Sequence, residues 1–286
     1  MESGLLDQVV NTTDYPLTEP GSAAWREVVE RTHHDLHTVG CSVLPDFIRP
    51  ALHDDLRREC AQIAPQAYYD VETVNAYNIA VDTPLPPDHP GRVTMERGNA
   101  FVARDHIPRE AIIHQLYASE VFQRFVAGCF ELPRLHELAD PLSGLVLNVI
   151  PPGRAHPWHF DTNEFTVSML TQLPDEGGEF QYCPNIRSAD EENFDDVRAV
   201  LAGSGEHLIR RLTLRVGDLQ LFKGRYSLHQ VSTVRGERQR HTAIFAYSLR
   251  PGVVGSVART RQLFGRVLPE HLAAEAVGVR VDERLA

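Results

Sequence analysis

The second half of the sequence constrains the fold most, because short apolar or alternating segments recur there between glycines and prolines. From residue 144 onward these segments are GLVLNVI, WHFDTNEFTVSMLTQL, EFQYC, LIRRLTLRV, DLQLFKG, HQVSTV and HTAIFAYSL. Several short strands at regular spacing, each bounded by turn residues, are typical of an antiparallel barrel or jelly roll. The sequence therefore predicts a β-rich core over residues 144–250.

The first half has a helical pattern instead. Apolar positions recur at helical spacing in residues 23–39, 47–64 and 109–130, and Pro50 is tolerated in a first turn. Residues 66–105 are rich in prolines and turn residues and predict short strands. The acidic segment 188–206 predicts a helical insertion between two strands.

These patterns together predict an α+β protein. We expect one domain over residues 1–286, with a helical buttress in 1–143, a double-stranded β-helix (jelly roll) core in 144–250, and a C-terminal helix and tail in 251–286. No internal repeat and no low-complexity linker divides the chain.

Charge and composition narrow the classes of partner. The net charge of −11 argues against nucleic-acid backbones and anionic membrane surfaces. No run reaches the ~18 apolar residues needed to span a bilayer, and the N-terminus lacks the segments of a signal peptide. We therefore expect a cytoplasmic monomer or homodimer that acts on a small molecule. The four scattered cysteines predict buried or half-buried free thiols.

The pattern His-x-Asp occurs three times in a chain that contains 14 histidines. His33/Asp35 and His53/Asp55 fall in predicted helices, where residues i and i+2 point about 200° apart and cannot bind one ion. We expect those two pairs to be solvated helix surface. On a strand, residues i and i+2 share a face, so the third pair, His159/Asp161, can point into one barrel mouth.

A transition metal needs a third protein ligand, and His229 begins another predicted strand near the end of the barrel. A lone histidine is more often structural. Two histidines and one carboxylate on one face, however, are the ligand set typical of non-haem Fe(II) oxygenases. The segment after His229 supports a metal site, because Arg240 and Thr242 follow on one strand face and lead into an apolar strand.

A buried arginine is costly unless it meets an anion, and a guanidinium matches a carboxylate bidentately. The sequence therefore predicts a carboxylate receptor at Arg240, deeper in the barrel than the metal. A surface hairpin with solvated arginines is the alternative, and it fits Arg235 and Arg238 better than Arg240.

At this point the sequence resembles the iron(II)/2-oxoglutarate-dependent oxygenase family. The resemblance covers about residues 144–250 and rests on LNVIPPGRAHPWHFD, TQLPDEGGEF, LRVGDLQLFKGRYSLHQV and GERQRHT. It implies His159, Asp161 and His229 as iron ligands, with no catalytic residue beyond them. It also implies Arg240 and Thr242 as the anchor of the distal 2-oxoglutarate carboxylate. The implied cofactors are Fe(II), 2-oxoglutarate as co-substrate and O2.

More narrowly, WHFDTNEF and FQYCPNIRS…EENFDDVRAVL are similar to a bacterial subgroup of amino-acid halogenases and hydroxylases. In that group, the resemblance implies His156 and Thr162 as substrate contacts, whereas Asn148 matches an asparagine that contacts 2-oxoglutarate in some members of the wider family. Halogenases replace the metal aspartate by a small residue so that chloride can bind iron. Asp161 therefore argues against halogenation. The polar residue often found after the metal aspartate is only a threonine here, Thr162, so a shared lysine-type substrate is not indicated.

The resemblance implies oxidation of an unactivated C–H bond in a small amino-acid-like metabolite, with hydroxylation as the default outcome in specialised metabolism. The same chemistry can end in cyclisation, such as cyclopropane formation, or in desaturation. A metal-binding jelly roll without turnover is an alternative of another class. His156 as a fourth ligand is disfavoured, because strand parity places it on the other face. Arg97, Asn99 and Arg104 either cover the mouth or form loop surface.

Overall fold

A computed structural model describes residues 2–162 and 165–277 of the chain. Side chains are described from Leu6 to Ala276 outside that gap. Within these residues the α-helices are α1 Glu2–Val9, α2 Ala23–Thr38, α3 His53–Ile63, α4 Ile112–Ala118, α5 Glu120–Cys129, α6 Phe194–Leu201, α7 Val257–Phe264 and α8 Pro269–Val277. Short 3-10 turns lie at Pro50–Leu52, Ala64–Gln66, Pro90–Arg92, Arg104–His106 and Glu206–Leu208.

The strands of the described residues are short, as the segment lengths predict. They are β1 Cys41–Leu44, β2 Tyr68–Tyr69, β3 Glu72–Asn75, β4 Thr94–Arg97, β5 Ala100–Val102, β6 His136–Glu137, β7 Leu145–Ile150, β8 His156–His159, β9 Thr166–Gln172, β10 Glu176–Gly177, β11 Phe180–Cys183, β12 Arg210–Leu212, β13 Leu219–Phe222, β14 Leu228–Val231, β15 Val234–Arg235, β16 Arg240–Phe245 and β17 Tyr247–Ser248.

Two antiparallel sheets form the core. The larger has the strand order β1-β13-β9-β16-β7-β5-β2, and the smaller has the order β12-β11-β14-β8. Short pairs β3–β4, β6–β17 and β10–β15 lie outside these two sheets. The helix-buttressed jelly roll and the α+β class are thereby confirmed.

Alternation along the central strands decides what each face of the large sheet contacts. In β7, Leu145, Leu147 and Val149 belong to the main hydrophobic core, which also contains buried side chains of α2, α3, α4 and α5. Ile150 instead packs in a second cluster with residues of the small sheet, including Phe180 and Tyr182. Asn148 shares the parity of Ile150, so it faces the space between the sheets.

The predicted helices are largely found, and two boundaries differ for identifiable reasons. Within 109–130, the backbone of Ser119 is extended and its hydroxyl accepts a hydrogen bond from the Phe122 N–H at 3.3 Å. Ser119 therefore ends α4 and caps α5. In 47–64, the α-helix starts only at His53, because Phe47 and Ile48 are occupied in backbone hydrogen bonds to Asn11 and Gly217.

The remaining expectations about the chain can be compared directly with the described residues. All four cysteines are buried and free, as expected. The acidic insertion contains α6, and the C-terminal segment contains α7 and α8, while residues 278–286 lie outside the described part. Among the described residues, no helix combines the length and apolar character that crossing a membrane requires.

Candidate metal centre and adjacent cavity

His159, Asp161 and His229 come together at one end of the small sheet. His159 is the last residue of β8 and is the cross-strand partner of His229 in β14. The Nε2 atoms of His159 and His229 lie 3.6 Å and 3.5 Å from Asp161 Oδ1. One ligand atom from each residue lies within 4.8 Å of the others, which is the spacing that one metal ion requires.

Backbone carbonyls orient both imidazoles. The Nδ1 atom of His159 lies 2.8 Å from the carbonyl of Pro157, and that of His229 lies 2.9 Å from the carbonyl of Ser227. A carbonyl only accepts, so each Nδ1 carries the proton and each Nε2 lone pair is directed toward Asp161. This is the tautomer that a metal ligand needs.

The Asp161 carboxylate is also fixed by its neighbours. Its Oδ2 atom accepts the Thr166 hydroxyl at 2.5 Å, and its backbone N–H donates to the Gly224 carbonyl at 3.1 Å. A Cβ on Gly224 would lie 1.9 Å from Oδ2, so only glycine leaves room for this carboxylate. Oδ1 is left directed toward the two histidines.

The protonation states suit a metal ion. Burial and the neighbouring His229 lower the pKa of His159. Burial alone would raise the pKa of Asp161, but His229 and His159 outweigh it and hold that pKa well below the ordinary value. A neutral imidazole and an ionised carboxylate are the forms in which these groups bind metals.

The local structure around this pair differs from the predicted strand in two respects. Asp161 does not share a strand with His159, because β8 ends at His159 and Asp161 lies two residues beyond it, outside regular secondary structure. His156 was placed on the opposite face, and this was wrong: its ring stacks on that of His159 with centroids 3.9 Å apart. A register shift between β8 and β14 breaks strand parity, since His159 pairs with His229 but His156 pairs with Val231.

His156 nevertheless lies outside the three-residue group of candidate ligands. Burial and the adjacent His159 lower its pKa well below the ordinary value, and the charge of Arg97 acts in the same direction. Arg97 is buried and paired with Glu72, and its Nε has no hydrogen-bond partner. His156 and Arg97 thus form a polar surface beside the candidate centre.

Arg240, Thr242 and Asn148 lie together between the sheets. Thr242 in β16 is the cross-strand partner of Asn148 in β7, and Arg240 pairs two positions further along with Ile150. The Arg240 side chain donates to the Thr242 hydroxyl, while its Nε is buried without a partner. No described acidic residue forms a salt bridge with Arg240, and burial lowers its pKa to about 10. A buried, uncompensated guanidinium is suited to an anionic ligand.

The other polar residues of the N-terminal half separate into two groups. The Asn99 amide donates to the Asn148 side chain at 2.9 Å and therefore belongs to the space between the sheets. Arg104 pairs with Glu137 and stacks over Tyr117, and it lines a different groove. The suggestion that Arg104 covers the mouth is therefore wrong. Arg235 and Arg238 form exposed ion pairs, as the hairpin alternative predicted.

A cavity of about 370 Å³ opens beside Asp161 and Thr162. Its walls come from four separate segments, and they include Tyr77, Phe160, Arg187, Glu192, Phe194 and Arg225. These residues were not predicted from the sequence, although Arg187 and Arg225 lie in the segments PNIRS and KGRYS. The occurrence of these two arginines in segments that carry the resemblance to the oxygenase family is the signal that could have identified them as site residues.

The fold has counterparts among solved structures. The carbocyclase SnoK from nogalamycin biosynthesis is 14% identical, with 84% of this chain and 91% of that chain covered and a TM-score of 0.52. AviO1 from Streptomyces viridochromogenes Tue57 is also 14% identical, with 78% and 95% covered and a TM-score of 0.51. A prolyl hydroxylase from Trichoplax adhaerens is 14% identical, with 80% and 94% covered and a TM-score of 0.50.

Fold and donor set define the class: the protein is an iron(II)/2-oxoglutarate-dependent oxygenase, an oxidoreductase class that uses Fe(II), 2-oxoglutarate and O2. The family model described as Halogenase D matches residues 24–259, and the chain belongs to this family. No match was found among curated proteins. The expected class and cofactors are confirmed, and the alternative of a binding protein without turnover is set aside.

Proposed function

We propose that this protein oxidises an unactivated C–H bond of a small amino-acid-like metabolite, with hydroxylation as the outcome, in specialised metabolism. The observation that carries the proposal is the convergence of two oriented imidazoles and one fixed carboxylate within 4.8 Å. A carboxylate at position 161 occupies the coordination position that a halide would need. This supports oxygen transfer over halogenation.

In the proposed enzyme His159, Asp161 and His229 hold iron, with Oδ1 as the carboxylate ligand. Held by these residues, iron with 2-oxoglutarate and O2 would supply the chemistry for oxidising a C–H bond of the substrate. Arg240 and Thr242 bind the distal carboxylate of 2-oxoglutarate, because this guanidinium is buried and lacks an acidic partner. Asn148 faces the same space and contributes a polar contact to the co-substrate.

On the substrate side, His156 and Thr162 remain the proposed contacts. His156 stacks on a proposed ligand, and Arg97 beside it has an unpartnered Nε that can donate to a substrate carboxylate. Thr162 lines the cavity next to Asp161. An amino acid would thus lie with its polar end near His156 and its side chain within reach of the iron.

The test is anaerobic reconstitution with Fe(II) and 2-oxoglutarate, followed by a library of amino acids. We expect a visible charge-transfer band that shifts when the substrate binds, and after addition of O2 we expect succinate and a product containing one added oxygen atom. A product lacking two hydrogens would instead indicate cyclisation or desaturation. His229→Ala should abolish the band, with the exposed His34→Ala as control. A band that survives in His229→Ala contradicts the proposed ligand set.

A further inference from the structure

The cavity beside Asp161 has a composition that the proposed function does not yet explain. We propose that it binds the side chain of the substrate and selects one that ends in a carboxylate or a similar hydrogen-bond acceptor over one that ends in an ammonium group. This inference rests on the proposed function, since it places the cavity next to the iron site.

The balance of charges in the cavity favours an anion. Of the two described carboxylates in its wall, Asp161 is directed at the histidines, and Glu192 pairs with Arg187 at 3.0 Å. Arg225 donates through Nε and Nη2 to the neutral carbonyl of Thr162 and forms no salt bridge with any described residue. Among the residues that the structure describes, one positive charge in the wall is therefore uncompensated, and a ligand carboxylate would neutralise it.

An unpartnered hydroxyl lies in the same wall. Tyr77 Oη is buried and has no hydrogen-bond partner among the described residues, and burial raises the pKa of this phenol well above its ordinary value. A phenol that stays protonated donates a hydrogen bond, and leaving it unpaired costs free energy. An acceptor group on the ligand would pair with Tyr77.

The rest of the wall suits an apolar chain leading to that group. The rings of Tyr77 and Phe160 lie with centroids 5.4 Å apart, and Phe194 lies 6.2 Å from Tyr77. The Arg187 guanidinium lies 3.8 Å from the centroid of Phe160, so its plane forms part of the same surface. Methylene groups can be buried against these rings without loss of a polar contact.

Hydrogen bonds fix the wall in advance of binding. The Phe160 N–H donates to the Ala76 carbonyl at 2.8 Å, and the Asn78 amide donates to the Phe160 carbonyl at 2.7 Å. Arg187 Nε donates to the carbonyl of Arg225 at 2.7 Å. These contacts join segments distant in sequence into one surface, so little ordering is needed when a ligand binds.

An ammonium group would be disfavoured in this environment. It would lose its hydration and meet the charge of Arg225, which no described carboxylate pairs with, while Glu192 is already paired. A carboxylate of the same reach would receive charge-assisted hydrogen bonds instead. The expected preference for a terminal carboxylate over an apolar or cationic end is about 10-fold or more in dissociation constant.

The experiment compares three amino acids whose side chains have nearly equal reach: 2-aminoadipate, norleucine and lysine. Each is titrated anaerobically into the Fe(II)·2-oxoglutarate complex while the charge-transfer band is followed, and by calorimetry into the protein without iron. We expect 2-aminoadipate to bind most tightly by both methods. Equal or tighter binding of lysine or norleucine, or no response to 2-aminoadipate, overturns the proposal. Absence of the band itself would instead count against the iron site, while calorimetry still measures the preference.

Variants connect the preference to individual groups. Arg225→Gln and Tyr77→Phe should each reduce the preference for 2-aminoadipate, and Arg225→Lys, which keeps the charge, should retain most of it. Arg215→Gln is the control, because Arg215 is exposed and lies outside the cavity wall. If Arg225→Gln weakens all three ligands equally, Arg225 binds the carboxylate common to them, and the assignment to the side chain is wrong. Circular dichroism establishes that each variant is folded, and Tyr77→Phe provides the test if Arg225→Gln is not.

Discussion

Gly224→Ala is the change that should disturb the metal centre most selectively. The added Cβ would lie 1.9 Å from Oδ2, 2.6 Å from Cγ and 2.9 Å from Cβ of Asp161, and these are its three nearest contacts. Contacts under 3.0 Å are essentially never seen for real Cβ atoms, so the carboxylate would have to move by about 1 Å. All three of these contacts belong to Asp161, so its side chain would be displaced before any other neighbour of Gly224.

A shift of this size exceeds the ±0.2 Å tolerance of a metal–ligand bond by about fivefold. It also separates Oδ2 from the Thr166 hydroxyl, which now lies at 2.5 Å. We therefore expect the affinity for Fe(II) to fall by about 10- to 100-fold, the range seen when groups that orient metal ligands are changed. Overpacking should also destabilise the fold by about 1–3 kcal/mol.

The assay is a metal titration followed by electron paramagnetic resonance with Mn(II) as a probe, together with thermal unfolding. The control is the same substitution made in an Asp161→Gly variant, which lacks all three atoms that the new Cβ would meet. In that background, Gly224→Ala should not lower the melting temperature further. A folded Gly224→Ala single variant with unchanged metal affinity, or an equal loss of stability in both backgrounds, would refute the close packing of Gly224 against the carboxylate.

Three further outcomes are expected. Arg240→Gln should raise the dissociation constant for 2-oxoglutarate at least about 10-fold by calorimetry, whereas the exposed Arg238→Gln should not, and equal constants would place the anchor elsewhere. Thr166→Val should weaken metal binding about 10-fold, and Thr166→Ser, which keeps the hydroxyl, should restore it. Backbone N–H donors outweigh burial and lower the pKa of Asp140, so its ionised form stabilises the fold above the ordinary carboxyl pKa of 3.8, and this contribution is lost as pH falls through the lowered value. Asp140→Asn should therefore cost about 2 kcal/mol near neutral pH in chemical unfolding, and the difference from the unaltered protein should shrink below pH 3.8; a pH-independent difference would contradict this assignment.

The distinction among the three His-x-Asp pairs could be made from sequence, because helical periodicity excludes two of them. His33 and Asp35 lie on α2 and have different partners, Glu131 and Ser42. His53 contacts the Ile48 carbonyl, and Asp55 pairs with Arg58. The local rule succeeded here because both pairs lie within regular helices.

The local rule failed where the backbone is irregular. The sequence WHFDTNEF was treated as one strand, but β8 ends at His159, and a register shift places His156 beside the proposed ligands. Alternating hydrophobicity does not distinguish a continuous strand from two strands joined by a turn. A bulge places an extra residue in one strand, and the amino-acid composition of the segment does not show where it lies. Its effect on side-chain direction could therefore not be predicted.

The cavity could not be predicted either, since its walls come from distant parts of the chain. Asn78 and Phe160 are 82 positions apart and meet through one hydrogen bond. Nothing in the local pattern around Tyr77 indicates that its hydroxyl is buried against the segment that carries Arg187. Such pairings depend on how the N-terminal segments fold onto the small sheet, which follows from packing rather than from local propensity.

The family name and the ligand set can be reconciled through the surroundings of Asp161. A halide ligand would need open space next to the iron, yet here Thr166 donates to the carboxylate and Gly224 leaves a recess into which it fits. Both neighbours fit a carboxylate, so the proposed role of Asp161 as a metal ligand is supported by its surroundings as well as by its residue type. Removing it by Asp161→Gly would leave the Thr166 hydroxyl directed into the vacated position, where it can donate to a bound chloride. The recess that supports the proposed oxygen transfer is therefore close to the arrangement in which a halogenase would bind halide.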